Sequence, residues 1–337
     1  MKILIVQTSF LGDTILSTPV IKGIKEIYPS AEIWMMTTPA SAQLVERDPF
    51  LSGVIKFDKR GKHSGINGLL RMKQILKSHA FDKVYSLHRS IRTSILLWWC
   101  GIPERIGFKT AGLNFLYHHI KIRNPNDHDV IRNLAILSDE LPSDPRKAEL
   151  RLFAPAKESL RPGIRRMLPP PHEYILLVPG SVWPTKRWHW QGYRDVAQHF
   201  LKKGRPVVLL GAASDRPIHQ KVADGIEVID LAGKTNIAEA MYVVKHANIV
   251  FCNDSMALHL ASAFKVPNLA IFCATSPEFG FSPWRNNAVV VEKEDLDCKP
   301  CRRHGSKRCP QGTEACMREL SSEEVLLAAE KLLSTTV

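Results

Sequence analysis

Apolar positions along the first half of the chain fall into two alternating rhythms. Ile3–Val6 is a short run with no polar break, the mark of a strand covered on both faces. From Thr14 to Tyr28 the apolar residues recur at Ile15, Leu16, Val20, Ile21, Ile24 and Ile27, a helical period. The same reading predicts strands at Glu32–Met36, Gly53–Phe57 and Lys83–Ser86. It predicts helices over Ile66–Ser78, Ile91–Cys100 and Asp129–Leu141. Strands alternating with helices mean βαβ units on a parallel sheet.

Residues 142–172 interrupt that rhythm with Pro142, Pro145, Pro155, Pro162 and the run Pro169–Pro171. The segment predicts a linker, with an edge strand at Glu149–Phe153. A second series follows. Strands are expected at Tyr174–Val178, Pro206–Leu210, Glu227–Asp230, Asn248–Phe251 and Asn268–Phe272. Helices are expected near Trp190–Lys202, Ile218–Ala223, Ile237–His246 and Ala257–Phe264. An amphipathic helix closes the chain over Ser321–Leu333, opened by a capping box of Ser321 and Glu324. The expected fold class is α/β, with Rossmann-like doubly wound domains over 1–150 and 173–337 and a Pro-rich linker at 151–172. Two such domains facing across a cleft would bind ligands at the carboxyl ends of their strands.

Length agrees, since 337 residues suit two domains of about 150 each. The balance of 46 Lys+Arg against 33 Asp+Glu leaves +13. That field favours anionic partners: nucleic acid, nucleotides, phosphorylated sugars or an acidic membrane surface. No run approaches the ~20 apolar residues that span a bilayer. The amino terminus reads as a first strand rather than a signal peptide, so a cytoplasmic protein is expected. Seven cysteines in a reducing compartment argue against a disulfide framework. Cys100, Cys252 and Cys273 sit in apolar runs and read as core. Cys298, Cys301, Cys309 and Cys316 form a separate cluster, for which a structural zinc is one reading. A reduced structural loop is preferred, because the second pair lacks the spacing of a standard zinc ribbon.

Chemistry concentrates just after predicted strands. Thr8–Asp13 follows the first one. Gly12 is expected to turn the chain, and Ser9, Gly12 and Asp13 would stand at the sheet edge. Asp13 is either a helix N-cap or a base that takes a proton from a sugar hydroxyl. An incomplete GxGxxG disfavours a dinucleotide. After the first strand of the second domain, Gly180-Ser181 offers backbone N–H groups, and Lys186 and Arg187 offer charge. That combination suits a diphosphate, although a basic surface loop with packing tryptophans reads equally simply. Asp215, beyond the strand Pro206–Leu210, suits either a ribose hydroxyl or a cap. Asn253–Ala261 opens a helix with Asp254 or Ser255 as N-cap, and the free N–H groups of Ser255 and Met256 could hold a phosphate. His259 lies one turn on, where a packing histidine is the plain alternative.

Together these motifs resemble the lipopolysaccharide heptosyltransferases of glycosyltransferase family 9, the heptosyltransferase II group above all. The likeness is carried by Thr8–Asp13 with Pro19, and by His128-Asp129-Val130-Ile131-Arg132-Asn133-Leu134. It continues through Trp183–Trp188, Asn253–Ala263 with Pro267, and the tail ending at Met317. The resemblance implies a GT-B fold and an inverting transfer from ADP-heptose to the lipopolysaccharide inner core, with no metal or cofactor required. It makes Asp13 the base and assigns Lys186, with Ser181 nearby, to the diphosphate. Asp215 falls to the ribose, Asp254 to heptose hydroxyls, and Ser255, Met256 and His259 to the phosphates. The implied acceptor places the protein at the cytoplasmic face of the inner membrane, where Lys56, Lys59, Arg60, Lys62, Arg71 and Lys73 would face anionic lipid. One departure stands out: the family has Thr-Gly or Ser-Gly where this chain has Ser255-Met256, and Met cannot relax the backbone as Gly does. Four rivals remain: a family member using another nucleotide sugar or acceptor, a sugar-nucleotide epimerase of the same fold, a basic nucleic-acid-binding protein with no visible recognition module, and a degenerate, non-catalytic membrane-surface scaffold, against which intact Asp13 and Lys186 speak.

Overall fold

Parallel pairing of the short apolar runs organises both halves of the computed structural model, which describes residues 1–334. Contacts divide the chain into two units, Met1–Phe153 and the remainder from Ala154. The first runs β1 (Lys2–Val6), α1 (Leu11–Ser17), α2 (Pro19–Ile27), β2 (Glu32–Thr37), α3 (Pro39–Val45), β3 (Leu51–Lys56), α4 (Gly65–His79), β4 (Lys83–Ser86), α5 (Ile91–Trp99), β5 (Glu104–Phe108), β6 (His119–Lys121) and α6 (Asp129–Leu134). The second runs α7 (Pro162–Met167), β7 (Ile175–Val178), α8 (Trp190–Lys202), β8 (Val207–Leu209), α9 (Arg216–Ala223), β9 (Ile229–Asp230), α10 (Ile237–Lys245), β10 (Ile249–Asn253), α11 (Met256–Phe264), β11 (Asn268–Phe272), β12 (Ala288–Glu292), α12 (Ala315–Arg318) and α13 (Ser322–Ser334).

The two sheets share one topology. Strand order is β3-β2-β1-β4-β5-β6 in the first and β12-β11-β10-β7-β8-β9 in the second, all parallel. In each, the connections reverse direction between the first and fourth strands of the series. That reversal opens a crevice beyond the strand ends, between β1 and β4 and again between β7 and β10. Each sheet has its own core. Met72 and Leu76 of α4 and Leu96 and Leu97 of α5 pack on Leu4, Val6 and Met36. Trp188, Tyr193 and Phe200 pack on Ile175, Leu177, Phe251 and Ile271 with Val325 and Leu332 of the terminal helix.

Several expectations change. The predicted helix Thr14–Tyr28 is two helices, because Pro19 has no N–H for the Ile15 carbonyl. Thr18 takes its place, donating both its N–H (3.1 Å) and its hydroxyl (2.7 Å) to Ile15 O. Glu149–Phe153 is no strand: the Arg151 N–H goes to the Thr18 hydroxyl, and its guanidinium forms a bidentate pair with Asp48. The helix expected to Leu141 ends at Leu134 and tightens into a 3₁₀ turn over Ala135–Leu137. Only Ile229–Asp230 of Glu227–Asp230 pairs, and α9 begins two residues earlier than expected, at Arg216. The elements α3, β5, β6, α7, β12 and α12 had no counterpart in the periodicity. The capping box at Ser321 is present, with the Glu324 N–H donating to the Ser321 hydroxyl (3.2 Å) and the Ser321 N–H to the Glu324 carboxylate (2.8 Å). Among the described residues, no helix is long and apolar enough to cross a membrane.

Candidate active site

Asp13 stands at the carboxyl edge of the first sheet, one turn beyond β1. It is the third residue of α1, so it is not the N-cap; that position falls to Phe10. The Phe10 N–H donates to the Asp13 carboxylate at 3.2 Å. Gly12 makes no sharp turn either. It lies inside the first turn of α1 without the left-handed backbone that favours glycine, and Ser9-Phe10 carry the chain from strand to helix. The Ser9 N–H is taken by the Gln7 side chain (3.3 Å). Burial, with the Asp129 carboxylate nearby, pushes the Asp13 carboxyl up from its ordinary 3.8 to about 6. The Phe10 N–H, Arg123 and Arg89 pull the other way and lose.

Around this edge stand groups that sequence reasoning had not joined to it. Lys59, beyond β3, donates to the Thr8 hydroxyl at 2.9 Å and lies 3.4 Å from His88, just beyond β4. Desolvation, with Arg92 and Arg60 close by, lowers Lys59 to about 8. Desolvation, with Lys59 and Arg89 close by, lowers His88 to about 4, so its ring is neutral at pH 7. The signal available in the sequence was position: each follows a strand of one parallel sheet.

In the second unit, Lys186 and Asp254 meet across the reversal point of the sheet. β7 lies beside β10 with Val178 opposite Cys252, so the loops after them leave the sheet together. Lys186 Nζ donates to Asp254 Oδ2 at 2.5 Å, and the Thr275 hydroxyl donates to the same oxygen at 2.8 Å. Both side chains of the ion pair are largely buried, at 14% and 9% exposure. Asn253 ties the two loops, accepting from the Trp188 N–H (2.9 Å) and donating to Pro179 O (2.9 Å). Arg187 clamps Ser181 O with two donors at 2.9 and 2.6 Å. Thr275 is a site-building residue that the motif reading passed over, while Asn253 and Arg187 lay inside the motifs but take structural roles there, tying loops and holding the Ser181 carbonyl.

Ser255 is the N-cap of α11 in extended backbone, but its hydroxyl caps nothing and, among the described residues, has no hydrogen-bond partner. A buried hydroxyl at a helix N-terminus is poised for an acceptor supplied from outside. Met256 starts the helix in ordinary backbone, outside the left-handed region, so the absence of glycine there costs no conformational strain. His259 is buried one turn on. Asp215 takes the capping role: its Oδ2 accepts from the Ala212 N–H at 2.9 Å, and Oδ1 lies 3.8 Å from Arg187. The carboxyl packs under Gly180, where a Cβ would meet it at 2.4 Å, so only glycine fits that turn.

The cysteine-rich tail supports the Lys186 turn. Thr185 exchanges hydrogen bonds with Ser306: its hydroxyl donates to Ser306 O (3.1 Å) and accepts from the Ser306 N–H (2.8 Å). Gly305, at φ +76°, lies flat against the Lys186 stem, where a Cβ would stand 3.1 Å from both Lys186 Cγ and Trp183 Cβ. Gly305→Ala is therefore expected to cost about 1–2 kcal/mol of stability and to displace Lys186. Thermal melting and nucleotide affinity measure this; a variant equal to wild type in both would remove the tail from the site. All seven cysteines are free thiols, and no group of His, Cys, Asp or Glu among the described residues could hold a metal ion.

Comparison with known proteins bears on this geometry. The family model for glycosyltransferase family 9 (heptosyltransferase) matches residues 69–310. Lipooligosaccharide heptosyltransferase 2 of Campylobacter jejuni subsp. jejuni serotype O:2 is 26% identical over an alignment of 347 residues, covering 100% of this chain and 99% of that protein. The crystal structure of a family 9 glycosyltransferase from Veillonella parvula DSM 2008 superposes with a TM-score of 0.85 at 23% identity, covering 99% of this chain and 97% of that one. The E. coli ADP-heptose lipopolysaccharide heptosyltransferase II superposes with a TM-score of 0.80 at 22% identity, covering 100% and 99%. The architecture is that of the GT-B fold.

Proposed function

This chain belongs to glycosyltransferase family 9, the heptosyltransferases, and from that premise we propose that it moves heptose from ADP-heptose onto the inner core of lipopolysaccharide. The observation that carries the reading is the cradle in the second unit. The Lys186 ammonium, the unpartnered Ser255 hydroxyl and the N-terminus of α11 converge where two strand ends part. A cation, a hydroxyl donor and free backbone N–H groups are what a departing diphosphate requires.

In this reading the acceptor hydroxyl gives its proton to Asp13 as its oxygen attacks the anomeric carbon. The bond from that carbon to the β-phosphate oxygen breaks on the opposite face, and ADP leaves with the bonding electron pair. The anomeric configuration inverts, because the attacking oxygen enters on the face opposite the breaking bond. A carboxyl poised near 6 is largely ionised at pH 7, yet basic enough to hold the proton in the transition state. Lys186 shifts from Asp254 to the phosphates as their charge rises, and the released Asp254 accepts from sugar hydroxyls. His259 and the Met256 N–H complete the phosphate end. Asp215 keeps acceptor capacity for a ribose hydroxyl beside Ser181 and Arg187. No metal or cofactor enters these steps.

The acceptor supplies the reason for a +13 chain: it is a phosphorylated glycolipid held in an anionic membrane, and the protein docks at that cytoplasmic surface. Incubation with ADP-heptose and defined truncated lipopolysaccharide, followed by mass spectrometry, tests the whole reading. A gain of one heptose supports it. Consumption of another nucleotide sugar, with ADP-heptose untouched, would replace it with the wider family reading.

A further inference from the structure

His128–Leu134 belongs to the family resemblance but has no part in the chemistry above. It forms α6, packed on α1, the helix that carries Asp13. Asp129 is 1% exposed there and pairs with Arg123 from the preceding loop, itself nearly buried. The Asn133 amide donates to Asp129 Oδ2 (3.1 Å) and to Leu16 O (3.3 Å), tying the pair to the backbone of α1 one turn beyond Asp13. Arg132, fully buried, donates to Asn124 O at 3.2 Å and to Pro125 O, and stands 3.6 Å from Asp129. This network closes the loop that presents Arg123.

Asp13 therefore stands on a helix packed against the one that carries Asp129, and the charges of Asp129, Arg123 and, from beyond β4, Arg89 act on its carboxyl. Among the described residues, the other helices packed most closely on α1, α3 and α2, direct no charge at Asp13. α3 contains no charged residue, while Lys22 of α2 pairs with Glu26 and Lys25 bonds Ala31 O. Left to itself, Arg123 would pair with Asp13 and hold it as a spent carboxylate. We propose that Asp129, locked to Arg123 and Asn133, is a positioning residue for Asp13: it takes up the guanidinium and leaves Asp13 open to the acceptor's proton. The inference deepens the base role given to Asp13 and rests on it.

Asp129→Asn and Arg123→Gln should act in opposite directions. Without Asp129, Arg123 is released toward Asp13, so the acid limb of the pH–rate profile moves below 6 by about one unit and turnover at pH 7 falls about tenfold. Without Arg123, Asp129 keeps its charge beside Asp13 and the acid limb moves above 6. The neutral pair Arg123→Leu with Asp129→Asn brings the limb back near its wild-type place, and decides the matter if either single variant fails to fold. A purely structural role would lower turnover without moving the limb. The same shifts are read without substrate from the carboxyl ¹³C resonance of Asp13 in the full chain, assigned by its loss in Asp13→Asn. That titration separates the two ideas: an Asp13 midpoint unmoved in folded Asp129→Asn overturns this inference whatever the donor proves to be. Undiminished heptose transfer by Asp13→Asn would overturn the base role instead.

Discussion

Asp13→Asn is expected to lower heptose transfer by about 10²–10⁴-fold while ADP-heptose binding stays within about threefold, because removal of a general base is felt in the transition state and not in the donor complex. The wild-type rate should rise with pH through about 6, the position burial gives the Asp13 carboxyl, and the variant should lose that limb. The substitution should also stabilise the protein, and the sign follows from linkage. The folded-state value lies above the ordinary 3.8, so between those two pH values the native state binds the extra proton. Stability consequently falls as pH rises through this window, and above it the full cost of ionising a buried carboxyl is present, at most about 3 kcal/mol. Melting temperatures of wild type and variant should nearly coincide at pH 3.5, with the variant melting higher at pH 8. Equal turnover in the two proteins would take Asp13 out of the reaction. Equal melting at pH 8 would mean that its carboxyl carries no burial cost.

Lys186→Met is expected to cost twice over. Loss of the cation at the diphosphate should reduce turnover by about 10²–10³-fold and weaken the donor complex as well, since the charge on ADP is present before and after transfer. The same change strands Asp254, a carboxylate left, among the described residues, with only the Thr275 hydroxyl as a side-chain partner in a largely buried site. Breaking one side of a buried pair costs about 3–5 kcal/mol. Adding Asp254→Asn to Lys186→Met should restore most of the melting temperature and none of the turnover. Recovery of activity along with stability would show that Lys186 is a structural partner of Asp254 and nothing more. Isothermal titration with ADP, set beside the melting curves, separates these outcomes.

Much of the fold could be read from local patterns because the carriers are long or wholly apolar. β1, β4, α8 and α10 lie where runs and helical periods put them, and two α/β halves followed from their alternation. The misses share a cause. α3 is only seven residues, β6 is a three-residue edge strand, and the third sheet neighbour β5 carries Glu104 and Arg105 where an apolar run was sought. Strands of this kind exist because a neighbour offers a free ladder, as β5 does to His119–Lys121. The Pro19 break was visible in the residue type but was overridden by an apolar period that runs through it.

The site divides in the same way. A strand followed by a turn and a helix start is a local pattern, and it was enough to single out Asp13, Ser181, Lys186, Asp254 and Ser255 as residues at sheet edges. Their electrostatics were not local. Lys186 and Asp254 are 68 positions apart and pair because β7 lies next to β10 in register. Asp13 is poised near 6 because packing buries its carboxyl and because α6, more than a hundred residues later, adds the charge of a nearby carboxylate, and Gly305 reaches Lys186 only through the folded tail. Which residue types stand at the strand ends is written in the chain itself, since backbone geometry places every such end on one edge of a parallel sheet. Which of them share a charge is decided by packing, because Coulomb attraction and desolvation depend on distance and burial through space, and neither is a function of separation along the sequence.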